Sequence, residues 1–129
     1  MLTFEQAETA MDAAEAEARA NGWNLTILVA DAGGVPIYLR RMDGAPLNTH
    51  EIASRKVITA LGSGMPTAEY AAALEAGTVD EVPNGVMYEG GYPIRLGGEI
   101  VGAMSASGAT GEQDAQVVRV GLAALGIEP

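Results

Sequence analysis

The side chains able to do chemistry in this sequence are few. There is one histidine, His50, and one lysine, Lys56, and there is no cysteine. A thiol nucleophile, a disulfide and a thiolate zinc site are thereby excluded. At about 3.6 residues per turn, His50 and Lys56 point to different sides of a helix that holds both. The positive end of a helix dipole disfavours a protonated imidazole, so His50 near a helix start can serve as a neutral base or ligand. An ordinary surface histidine would also sit there. Lys56 lies between Ala53 and Ala60 in an apolar-leaning turn. Its chain either snorkels to solvent or turns into a pocket as an anion binder or an amine of altered basicity.

Arg40-Arg41 close a strand-like run, and successive strand residues face opposite ways, so only one of the two can face inward. Arg41, followed by Met42-Asp43-Gly44, is placed to clamp a carboxylate or to pair with Asp31 or Asp43. Glycines crowd the last third: Gly85, Gly90, Gly91, Gly97, Gly98, Gly102 and Gly108. Gly102, inside a strand, marks a bulge or a close approach of another backbone or a ligand. Glu89-Gly90-Gly91-Tyr92-Pro93 can form a nest of backbone N–H groups. It is no phosphate loop, because no Gly-Lys-Ser/Thr follows and no strand–glycine–helix fingerprint is present. Glu112 and Asp114 stand where a helix dipole stabilises carboxylates. No carboxylate cluster has metal-ligand spacing, and no metal site is expected.

Several elements must position these groups. Thr3 and Gln6 form a capping box for a helix whose stripe is Phe4, Ala7, Met11, Ala14 and Ala18, ended by Asn21-Gly22. Leu25–Ala30, a turn at Asp31-Ala32-Gly33-Gly34, and Val35–Met42 read as a hairpin, with Pro36 tolerable at an edge. Asn48 and Glu51 box the next helix, which carries Ile52, Ala53, Val57, Ala60 and Leu61. After Ser63-Gly64-Met65-Pro66, Thr67 caps a shorter helix to Gly77. Residues 78–91 are loose and acidic, with a short strand expected at Val86-Met87-Tyr88. Tyr92–Leu96, Gly97-Gly98 and Glu99–Ser107 form a second hairpin. Thr110 and Gln113 cap a last helix bearing Val117, Val118, Gly121, Leu122 and Leu125. The order is α-β-β-α-α-β-β-β-α, and strands arriving as hairpins make a mainly antiparallel sheet.

The chain has 129 residues, room for one domain spanning 1–129. It is 48% hydrophobic, but much of that is alanine, and only six aromatic side chains accompany 17 glycines. The core must therefore be small and aliphatic. Seven basic against 17 acidic residues give a net charge of −10, which repels phosphate backbones and anionic lipid. Neither nucleic acid nor membrane is an expected partner. The acidic start Met1-Leu2-Thr3-Phe4-Glu5 is no signal peptide, and no run of about 18 apolar residues occurs, so a cytoplasmic location is expected.

Six short motifs, in order, resemble the GlcG/HbpS family, which includes the C-terminal domain of PduO-type proteins. They are Val29–Gly34, Arg41–Ala45, Ala53 with Lys56 and Thr59-Ala60, Pro66–Glu69, Gly90–Ile94, and Ser107–Asp114. The resemblance runs from about residue 5 to 126. It implies an α+β, three-layer α/β/α fold around a five-stranded antiparallel sheet, profilin-like. It also implies homo-oligomers, from dimers to octamers, and in some members haem or corrinoid binding. Histidine is the usual haem ligand, yet the first helix here has none, leaving His50, a tyrosine, a methionine or Lys56. Two functions follow as expectations. One is small-molecule binding of the GlcG/HbpS type, with haem or another tetrapyrrole as ligand. The other is a cofactor-free isomerase, tautomerase or lyase of catabolism, acting on a small anionic substrate at a subunit interface. In the second, Arg41 and Lys56 hold a carboxylate while His50, Tyr88 or Glu89 moves a proton, and Gly90, Gly91 and Tyr92 line the ligand site.

Overall fold

A computed structural model describes residues 1–129. The first helix, α1, spans Phe4–Asn21. Its capping box forms as the sequence requires: the Gln6 N–H donates to Thr3 Oγ1 at 3.0 Å, and the Thr3 N–H to Gln6 Oε1 at 2.9 Å. Gly22, at φ 72°, ends it in the left-handed conformation. Ala7, Ala10, Met11, Ala14 and Ala18 are fully buried. Phe4 departs from that stripe and is 58% exposed, because its ring leaves the core to stack on Tyr38 with centroids 5.3 Å apart.

Two hairpins make the sheet: β1 (Thr26–Asp31) with β2 (Pro36–Arg41), and β3 (Gly91–Leu96) with β4 (Glu99–Ser107). Asp31 Oδ1 holds the first turn by accepting from the N–H groups of Gly33 and Val35. The sheet is antiparallel, in the order β2-β1-β4-β3, with β1 and β4 at its centre.

The sheet therefore has four strands, and the fifth expected at Val86-Met87-Tyr88 is not a strand. Its backbone is engaged by a side chain instead of a neighbouring strand. The Val86 N–H donates to Thr59 Oγ1 at 2.8 Å, and that hydroxyl lies 2.9 Å from the Val86 carbonyl. The element order loses its third consecutive β accordingly.

Helices α2 (Thr49–Ser63), α3 (Thr67–Glu75) and α4 (Gly111–Ala123) complete the chain. The α4 capping box of Thr110 and Gln113 forms. The other two expected caps do not. Asn48 makes no side-chain cap bond, its backbone at φ -88° and ψ 2° lying outside the extended conformation of a capping residue, and the Glu51 carboxylate pairs with Arg55 at 3.1 Å. Thr67 is the first helical residue behind Pro66, and its hydroxyl accepts the Gly91 N–H at 3.1 Å.

Strand alternation sorts the core into two faces. Ile27, Val29, Met104 and Ala106 point to α1 and α4 and belong to a cluster of 16 buried residues. Leu28, Ala30 and Ala103 point to α2 and meet Ala53, Val57 and Ala60 in a cluster of 6. The α1/α4 side thus carries most of the apolar burial, which leaves the α2 side room for polar groups. At Gly102 a Cβ would overlap the Ala30 carbonyl oxygen, so the glycine marks a close approach of β1 to β4. No helix is long and apolar enough to cross a membrane.

Candidate functional site

On the α2 side, Ser105 Oγ of β4 donates to the Ala53 carbonyl at 2.7 Å, fixing α2 over the central strand. Lys56 follows one turn later and does not snorkel. It is 1% exposed, and its Nζ donates to Asp114 Oδ2 at 3.0 Å and to the Ala106 carbonyl at 2.8 Å. Asp114, 3% exposed in the first turn of α4, accepts the Ala109 N–H on Oδ1 at 3.0 Å. One ion pair therefore joins α2, the end of β4 and the start of α4.

Burial pushes the Lys56 amine below its usual value, while the Asp114 carboxylate pulls it back up. Burial pushes Asp114 above the usual carboxylate value, opposed by Lys56 and by the Ala109 N–H. The charge of Glu89 acts on both, favouring the ammonium and disfavouring a second carboxylate.

Gly90, at φ 123°, is required by this pair. A Cβ there would come within 2.8 Å of Asp114 Cβ and 2.9 Å of Lys56 Nζ. A cleft of about 430 Å³ opens over the pair. Lys56 and Asp114 line it together with Ile52, Met87, Tyr88, Glu89 and Ser107. That volume falls in the range of about 300–1,000 Å³ typical of small-molecule sites.

The cleft brings together Lys56, Glu89 and Tyr88, three of the side chains singled out in the sequence. Tyr88 stands at its mouth, 60% exposed. His50 is elsewhere: it is exposed on the first turn of α2, with Nδ1 3.0 Å from the Leu47 carbonyl. Arg41 is exposed too, and its Nη2 donates to the Ala45 carbonyl at 3.3 Å rather than to Asp31 or Asp43. Arg40 is the networked arginine of the two. It binds Asp12 at 2.8 Å and Glu15 at 2.9 Å and lies over the Tyr38 ring at 4.6 Å.

In the glycine segment, backbone groups of both glycines have partners within the fold. The Gly91 N–H goes to Thr67, and the Gly90 carbonyl accepts the Ala106 N–H at 3.1 Å. Tyr92 faces the opposite side of the sheet, where its hydroxyl accepts from Arg119 Nη1 at 3.1 Å.

Sequence reasoning missed Asp114 as a site residue by assigning it to the helix dipole. A signal was present. Asp114 heads the α4 stripe, with Val117, Val118 and Gly121 following at i+3, i+4 and i+7. A carboxylate on an apolar stripe needs a buried cation, and the sequence contains one lysine on such a stripe.

Fold and site together define a three-layer α+β domain with a buried lysine–aspartate pair beneath a ligand-sized cleft. The model of the family described as "Haem degrading protein HbpS-like" matches residues 2–123. Protein GlcG of Escherichia coli K12 is 37% identical over 110 residues, covering 83% of this chain and 81% of GlcG. A crystal structure of a double mutant of Streptomyces reticuli HbpS superposes with TM-score 0.88 at 34% identity, covering 98% of this chain and 88% of that one. The crystal structure of a PduOC:heme complex gives TM-score 0.88 at 26% identity, covering 95% and 94%. The chain belongs to the HbpS-like family.

Proposed function

We propose that this chain is a small-molecule-binding protein of the HbpS/GlcG type whose ligand is haem or another tetrapyrrole. The observation that carries the reading is the cleft of about 430 Å³ beside Met87 and Tyr88, the size class of a ligand site. The relative solved as PduOC in complex with heme supports the ligand class.

The donor set fits such a ligand without an imidazole. Tyrosine and methionine are both haem-ligating side chains. Tyr88 and Met87 are 60% and 56% exposed at the cleft, whereas His50 does not line it. Tyr88 or Met87 would hold the iron, and Ile52 would give the macrocycle an apolar wall. Haem, when bound, supplies an iron that takes axial ligands and exchanges electrons. Lys56 holds Asp114 in place through their 3.0 Å contact, so the cleft floor stays fixed.

A haemin titration followed by the Soret band tests this. Saturable binding is expected in the wild type and in His50→Ala, weakened at least about tenfold in Tyr88→Phe, about 1.4 kcal/mol. No saturable shift, or a shift lost in His50→Ala and kept in Tyr88→Phe, overturns it.

A further inference from the structure

Lys56 is the one lysine of the chain, and it stands at the floor of an open cleft rather than on the surface. Two features beyond the ion pair mark this lysine, a cavity that reaches it and a third ionisable group beside it. The cleft reaches Lys56 and Asp114, and Glu89 lines the same cavity. Lysines that capture carbonyl compounds share these features, being desolvated and placed beside groups that move protons.

We infer that Lys56 forms an imine with a small aldehyde or α-keto acid that enters this cleft. The inference goes beyond tetrapyrrole binding and does not rest on it.

The step balances without any further reactant. The Lys56 ammonium gives one proton to Asp114 Oδ2, 3.0 Å away, which frees the nitrogen lone pair. That pair forms the C–N bond while the carbonyl π pair moves to oxygen, which takes the proton back from Asp114. Glu89 relays a second proton from nitrogen to the new hydroxyl. The C–O bond then breaks, water leaves and a protonated imine remains. Nitrogen loses two hydrogens to the departing oxygen and keeps the positive charge. Asp114 therefore faces a cation before and after the reaction, and no buried charge is left unpaired, the arrangement that is costly in a protein interior. The Ala106 carbonyl, 2.8 Å from Nζ, holds the amine during the exchange.

The test uses the full chain with pyruvate and sodium cyanoborohydride, followed by peptide mapping. The expected result is a reduced adduct at Lys56 in the folded protein, separated by the mapping from the one that the exposed Met1 amine also forms, with the Lys56 rate falling in urea as the ordinary protonated lysine of the unfolded chain is restored. Glu89→Gln, with its fold verified by circular dichroism, is expected to slow labelling at least about tenfold, the usual scale of a lost proton-transfer group. Labelling of Lys56 that appears only on unfolding, or at the same rate in Glu89→Gln, overturns the inference. Haemin titration reads a different property, so failure of tetrapyrrole binding leaves this result standing, and the reverse also holds.

Discussion

Removing the carboxylate of Asp114 while keeping its shape, as in Asp114→Asn, strands the Lys56 ammonium in a site where the two side chains are 2% and 4% exposed. At 3.0 Å and an effective dielectric of about 20, their attraction is about 5 kcal/mol. Breaking one partner of such a pair typically costs about 3–5 kcal/mol. Lys56 can shed its proton, and burial already favours that, so the lower end applies. We expect a loss of about 3 kcal/mol, a Tm drop of roughly 10–15 °C for a domain of this size. Lys56→Met should cost about the same, by leaving a buried carboxylate with only the Ala109 N–H. The double variant Lys56→Met/Asp114→Asn contains neither charge and should be more stable than either single variant. Chemical denaturation of all four proteins gives the coupling directly. Single variants that each lose less than about 1 kcal/mol, or a double variant that loses the sum, would refute the reasoning.

Three further outcomes are expected. The folded Lys56 amine lies below its unfolded value of 10.5, so its contribution to stability is present above 10.5 and lost as pH falls through the lowered value. The stability gap between wild type and Lys56→Met should therefore widen from neutral pH toward 10.5, and thermal melts showing it constant or narrowing contradict this. Gly90→Ala should cost roughly 2–4 kcal/mol in a denaturant titration, because the Cβ meets Lys56 Nζ and Asp114 at a left-handed φ. Thr59→Val releases both backbone groups of Val86. A loss of about 1–2 kcal/mol and faster amide exchange at Val86 are expected, with unchanged exchange as the contrary result.

Much of the fold is legible in the residues because the signals are local. The Thr3–Gln6 and Thr110–Gln113 boxes, the Asp31 turn and the apolar run of β1 each fix their element within a few residues. The sequence fails where a distant side chain replaces the local partner. Val86-Met87-Tyr88 has strand-like composition, yet Thr59 engages its backbone across 27 positions of chain. Thr67 looks like a cap and instead serves Gly91. The site divides in the same way. Lys56, Tyr88 and Glu89 are chemically conspicuous and converge on one cleft, whereas Arg41 and His50 are conspicuous and stay on the surface. Asp114 was hidden because a helix start already explains a carboxylate, and only the tertiary fold brings its counter-ion alongside.

The strand order β2-β1-β4-β3 also constrains how the molecule assembles in time. Each hairpin joins strands that are neighbours in the chain and can close within microseconds. The central seam cannot, since Thr26 pairs with Ser107 and Asp31 with Gly102, and α2 and α3 lie in the intervening loop. That loop's closure entropy must be met before the seam's contacts return anything. Zipping β1 to β4 therefore carries the largest loop-closure cost in the sheet, and the native topology is complete only once that seam has closed.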